Sequence, residues 1–151
     1  MTDLLTGRVL ALDLGSVRIG VAVSDYTRTL ATPRPHVRRT KSHRVDHAEL
    51  LRVAQDEEAT LVVVGLPRSL SGAIGKAAQL VFGELDELRA AFAVIDIKVT
   101  SVDERFSTRT ASERLHAAGK TTKDQRLSID SAAAAVFLQH WLDSNAKTGQ
   151  D

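Results

Sequence analysis

The 151-residue chain contains no cysteine, which excludes disulfides, thiolate zinc sites, iron–sulfur clusters and a cysteine nucleophile. Aromatic residues are scarce, with one Trp, one Tyr and four Phe, so base stacking cannot be the main way of holding a nucleic acid. No apolar run approaches the ~18 residues of a membrane span. The start, Met1-Thr-Asp-Leu-Leu-Thr6, has no basic region leading into an apolar core, so no secretory signal is read there. The expectation is a cytoplasmic protein with no membrane contact. Excess charge is lacking too: 20 Lys and Arg against 19 Asp and Glu leave a formal net charge of +1, which at first sight argues against a polyanionic partner.

What is present is strong alternation followed by helical periodicity. Arg8–Leu14 is a nearly continuous apolar run, and Arg18–Asp25 alternates around Ile19, Val21 and Val23. The short link between them predicts an antiparallel hairpin. A third strand is expected near Thr29–Ala31, ending before the breakers Pro33 and Pro35. His43–Glu58 reads as a helix, Thr60–Val64 as a buried central strand, Ile74–Phe92 as an amphipathic helix and Ile95–Val102 as a strand. Two further helices are expected over Thr108–Ala118 and Ile129–Leu142, with frayed tails at Met1–Thr6 and Asn145–Asp151. The order βββαβαβα, with short connections and no internal linker, predicts a single α/β domain over residues 1–151 with a mixed sheet and a core over about residues 8–143.

Three carboxylates stand out by position. Asp13 interrupts the apolar first strand two residues before Gly15, where an unpaired charge would be costly. Glu104 lies just past the strand ending at Val102, and Asp130 lies in the first turn of the last helix. Acids on two strand ends and a helix start can converge on one edge of an α/β sheet. Hard oxygen donors in such a cluster favour Mg²⁺ or Mn²⁺, and such ions can activate a water for phosphodiester cleavage. Each acid also has a plainer reading: a satisfied core acid, a solvated loop acid, or a partner for the helix dipole. Asp103 is the alternative to Glu104, since alternation turns the two in opposite directions.

The basic residues are clumped. Residues 34–47 hold five cations against one acid, and residues 105–126 hold six against two. A near-zero sum therefore hides local excesses of four, an asymmetry suited to a polyanion on one face. Arg18, Arg105, Arg109 and Lys123 are candidate phosphate contacts. The loop Gly65–Gly72 between a strand and a helix is a natural phosphate-binding place but is not a Walker A loop. His43 and His47 stand at i,i+4, yet no further ligand spacing supports zinc, and with His36 they are read as surface residues.

Four segments in order, Leu12-Asp-Leu-Gly-Ser-Val-Arg-Ile-Gly-Val-Ala-Val-Ser-Asp25, Val63-Val-Gly-Leu-Pro67 with Gly72, Asp103-Glu-Arg-Phe-Ser-Thr108, and Ile129-Asp-Ser-Ala-Ala133 with Leu138-Gln139 and Trp141-Leu142, resemble the YqgF (RuvX) family. Its members are described as pre-16S rRNA nucleases and as Holliday junction resolvases. The resemblance implies an RNase H-like fold, catalytic acids at Asp13, Glu104 and Asp130, dependence on Mg²⁺ or Mn²⁺, and a role in maturing the 5′ end of precursor rRNA in ribosome biogenesis. Ser131 stands where the family commonly has Gln, and Phe106-Ser107 where Leu-Thr is usual. The expected partner is nucleic acid, either precursor rRNA or branched DNA, bound by a monomer or homodimer; junction cleavage would need a symmetric pair. A non-catalytic nucleic-acid-binding module is the alternative of another class. An actin-like ATPase, which shares the Asp-x-Gly strand, would need a second lobe for which 151 residues leave no room.

Overall fold

Period-two apolar patterning builds five strands: β1 (Arg8–Leu14), β2 (Arg18–Ser24), β3 (Ala31–Arg38), β4 (Ala59–Leu66) and β5 (Lys98–Asp103). The computed structural model describes residues 7–66, 76–103 and 129–148. The strands form one sheet in the order β3-β2-β1-β4-β5. β1, β2 and β3 pair antiparallel, whereas β4 runs parallel to both β1 and β5. Helices α1 (His43–Asp56), α2 (Lys76–Ala93) and α3 (Ile129–Thr148) complete the order βββαβαβα among the described residues.

Alternation along the central strands divides the core in two. Leu10, Leu12, Val62 and Val64 face α1 and α2, packing with Leu50, Leu88 and Phe92. Val9, Ala11 and Val63 face α3, packing with Ala134, Phe137, Leu138 and Leu142. Among the described residues the sheet is thus a middle layer with two helices on one side and one on the other.

Several boundaries differ from expectation for identifiable reasons. β3 runs through Pro33 and Pro35 instead of ending before them. It is an edge strand, and its register with β2 shifts between Val21–Arg34 and Ile19–Val37, so Pro35 falls at an irregularity of the ladder, where a missing N–H is tolerated. β5 starts at Lys98, not Ile95. Asp96 adopts φ 63°, the Ile97 N–H bonds the Phe92 carbonyl at 3.0 Å, and the Asp96 N–H bonds that of Ala93 at 3.0 Å. This is a Schellman ending to α2, so Ile95 and Ile97 pack beside the core without pairing in the sheet. α3 continues to Thr148, beyond the expected end at Leu142 and into the expected tail. The helix expected over 108–118 lies outside the described residues.

The turn from β2 to β3 is closed by Asp25. Its carboxylate accepts from the Thr29 and Leu30 N–H groups at 2.8 and 3.1 Å and from the Thr29 and Thr27 hydroxyls at 2.7 and 3.0 Å. The Thr29 hydroxyl bond leads these contributions, which together outweigh the opposing effect of burial and hold the carboxyl well below its ordinary 3.8. A carboxyl depressed in the folded state stabilises the fold above its unfolded pKa and loses that contribution as pH falls below it. Asp25→Ala is expected to cost about 1 kcal/mol at neutral pH. The gap from wild type should narrow below pH 3.8, as urea unfolding at stepped pH would measure.

Candidate metal and nucleic-acid site

β1 carries Asp13 near its C-terminal end, half-buried, on the same face as Val9 and Ala11. The charge therefore stands at the margin of the apolar layer and not within it. Asp13 lies opposite Gly20 of β2 and beside Gly65 of β4, which in turn is beside Val102 of β5. A row Gly20–Asp13–Gly65–Val102 thus crosses four strands on the α3 side. The residues on both sides of the acid lack side chains, leaving a depression with a carboxylate at its centre.

The first turn of α3 closes this depression. A β-carbon built on Gly20 would stand 2.2 Å from the Asp130 carbonyl oxygen and 2.8 Å from the Ser131 nitrogen, so the helix start rests directly on β2. Ser131 is fully buried, and its Oγ accepts from the Val21 N–H at 3.1 Å. Ser131 therefore ties α3 to the sheet. Arg18 Nε donates to Asp130 Oδ2 at 3.1 Å, with the arginine side chain 40 % exposed. A β-carbon on Gly15 would lie 3.8 Å from Asp130 Oδ1 and 2.5 Å from the Arg18 carbonyl oxygen. Gly15 thus keeps the hairpin turn close to that acid, which answers why a glycine stands there.

Asp13 and Asp130, far apart in sequence, are consequently neighbours across Gly20. The donor set on this edge is carboxylate oxygen, which fits a hard divalent cation. The Arg18–Asp130 pair is exposed enough to contribute at most about 1 kcal/mol, so it does not seal the site. Of the other expected site residues, Glu104, Arg105, Arg109 and Lys123 lie outside the described residues. So do residues 67–72 of the Gly65–Gly72 loop.

The basic segment 34–47 is partly spent on structure. Arg34 pairs with Glu57 at 3.0 Å, and Arg39 donates through both terminal nitrogens to Glu84 at 2.7 and 2.8 Å. Arg39 also grips the β1–β2 turn, with its Nε on the Gly15 carbonyl at 2.8 Å and its N–H on that of Val17 at 2.9 Å. Arg38 is exposed and sits opposite Arg18 in the β2–β3 register. It is a cation beside the site that sequence reasoning missed, because only the pairing of β2 with β3 brings the two together.

The reading of His47 as a surface residue is corrected. It is 5 % exposed, as is Glu84, and its Nε2 lies 2.7 Å from Glu84 Oε2. Burial alone would raise the Glu84 carboxyl, but bonds from His47 and Arg39 and the Arg39 charge bring it down to about 2. His43 remains exposed, as expected.

An α/β sheet of this order has the RNase H-like fold. Over 94 % of the chain it is similar to Thermus thermophilus RuvC, solved in complex with a Holliday junction substrate, with a TM-score of 0.58, 17 % identity and 96 % of that chain covered. The family model described as "RuvX: Holliday junction resolvase" matches residues 7–144, and the chain belongs to that family. A relative from Mycobacterium ulcerans, named "Putative pre-16S rRNA nuclease", is 45 % identical over 137 residues, covering 91 % of this chain and 79 % of its own. An Anaeromyxobacter dehalogenans relative of the same name is 44 % identical over 140 residues, covering 92 % and 98 %. Among the described residues, no helix is long and apolar enough to cross a membrane.

Proposed function

We infer that this chain is a divalent-metal-dependent nuclease that hydrolyses phosphodiester bonds of structured nucleic acid, with precursor 16S rRNA as substrate and 5′-end maturation in the cytoplasm as its task. The observation that carries the reading is the meeting of Asp13 with the Asp130 end of α3 across Gly20. The names of the relatives support the RNA substrate.

Asp13, Asp130 and Glu104 would hold Mg²⁺ or Mn²⁺. When bound, the metal supplies activation of a water and stabilisation of the leaving oxygen. The chain's own part is to bind and orient. Arg18 balances the Asp130 carboxylate, and Arg18, Arg38, Arg105, Arg109 and Lys123 meet backbone phosphates, giving recognition of shape with little sequence reading. Residues 1–151 act as one nuclease domain.

The description of the matching family favours a second reading, cleavage of four-way DNA junctions. The test is cleavage of precursor 16S rRNA and of a four-way junction by the purified chain with Mg²⁺ or Mn²⁺. Metal-dependent cutting of the RNA in preference to the junction is expected, and EDTA should abolish it. Preference for the junction by a dimer would establish the second reading. Binding of both without cutting would leave a non-catalytic module.

A further inference from the structure

A second cluster of metal-ligating side chains lies on the opposite side of the sheet, away from the carboxylate edge. His43 and His47 are one helical turn apart on α1, and Glu87 reaches them from α2. One ligand atom from each lies within 4.8 Å of the other two. His43 Nδ1 is already 2.8 Å from Glu87 Oε1, and the two imidazoles stack with centroids 5.5 Å apart. All three residues line a cavity of about 420 Å³ between the helices.

The surroundings prepare His47 for this role. Glu84 is ionised and can only accept, so the 2.7 Å contact requires His47 Nε2 to carry the hydrogen. The ring nitrogen left for a cation is Nδ1. Metal-binding histidines are commonly oriented by a carboxylate on the far ring nitrogen. Here that carboxylate is itself held by the two-pronged bond from Arg39. His47 is thus fixed, whereas His43 and Glu87 are about half exposed, at 50 % and 54 %, and can adjust to tetrahedral spacing. Two imidazoles and one carboxylate suit a borderline transition ion, in contrast to the all-oxygen edge around Asp13.

We propose that His43, His47 and Glu87 form a binding site for a zinc-type divalent cation that clamps α1 to α2. The ion replaces the proton between His43 Nδ1 and Glu87 Oε1, so neither group loses a partner. Arg44, exposed at the rim of the cavity, opposes the ion and keeps the affinity below that of a closed structural site. This site is independent of the nuclease reading.

The test titrates Zn²⁺, and Co²⁺ as its visible reporter, into the full chain in excess Mg²⁺, which competes at all-oxygen sites. One equivalent is expected, with the strong visible absorption of tetrahedral Co²⁺ and a raised Tm. His43→Ala and Glu87→Gln, both at exposed positions and checked for folding by circular dichroism, should each weaken binding about 10–100-fold. Asp13→Asn should leave it unchanged. Loss of Zn²⁺ binding in Asp13→Asn with retention in His43→Ala would overturn the proposal, as would an absence of saturable binding to the wild-type chain.

Discussion

Asp13→Asn is expected to lower the metal-dependent cleavage rate by roughly 10³-fold or more, equivalent to about 4 kcal/mol in the barrier. Asparagine keeps the size and shape of the side chain but removes the charge that holds a divalent ion. The site offers little to compensate. Asp13 is flanked by Gly20 and Gly65, which contribute no side chain to the depression. The substitution should leave the fold intact, because the position is half-buried at a strand end and the backbone ladder to β2 and β4 is unaltered. Nucleic-acid affinity should hold or rise slightly, since one negative charge is removed from the binding face. Single-turnover cleavage read beside binding at matched salt distinguishes these effects. Cleavage by the variant at the wild-type rate would show that Asp13 is not a catalytic ligand.

Gly20→Ala is expected to be strongly destabilising. The new carbon would fall 2.2 Å from the Asp130 carbonyl oxygen, 2.3 Å from its carbonyl carbon and 2.8 Å from the Ser131 nitrogen. All three are backbone atoms, so no rotamer change relieves the overlap. The start of α3 must lift, straining the Ser131–Val21 bond and the packing of Ala134, Phe137 and Leu138 on the sheet. A loss of about 3 kcal/mol or more is expected in urea unfolding. Gly83 provides the control. It lies inside α2, and a carbon there would meet nothing within 4 Å, so Gly83→Ala should stabilise by about 1 kcal/mol through helix propensity. Gly20→Ala should also cut poorly at temperatures where it is still folded, because Asp130 moves with the helix start. A Gly20→Ala protein as stable as wild type would contradict the described seat of α3.

The order of elements along the chain and the place of Asp13 at the end of the first strand were legible because both rest on local pattern: alternation, a charge breaking an apolar run, and glycine after it. The misreadings occurred where a local signal was decided by a distant partner. Pro33 and Pro35 read as breakers, and only membership of an edge strand makes them harmless. Ile95, Ile97 and Val99 alternate like a strand, yet the first two serve the hydrophobic closure of a Schellman turn that depends on Asp96 taking a positive φ. His47 reads as a surface residue because it is polar in a polar stretch, yet it and Glu84 are both buried. Their burial depends on α1 packing against α2 with Arg39 beneath. The third expected acid and the downstream cations were named from spacing and resemblance alone, and they remain proposals.

Asp130 reaches Arg18 from 112 residues further along the chain. A ribosome making about 5–20 residues per second would need roughly 6–20 s to add the second acid after the first hairpin has emerged. Until then β1 and β2 can pair and present Asp13, but the helix that brings Asp130 does not yet exist. With the ligand set proposed above, a nuclease built in this way stays inactive beside the very particle that makes it until α3 has been added.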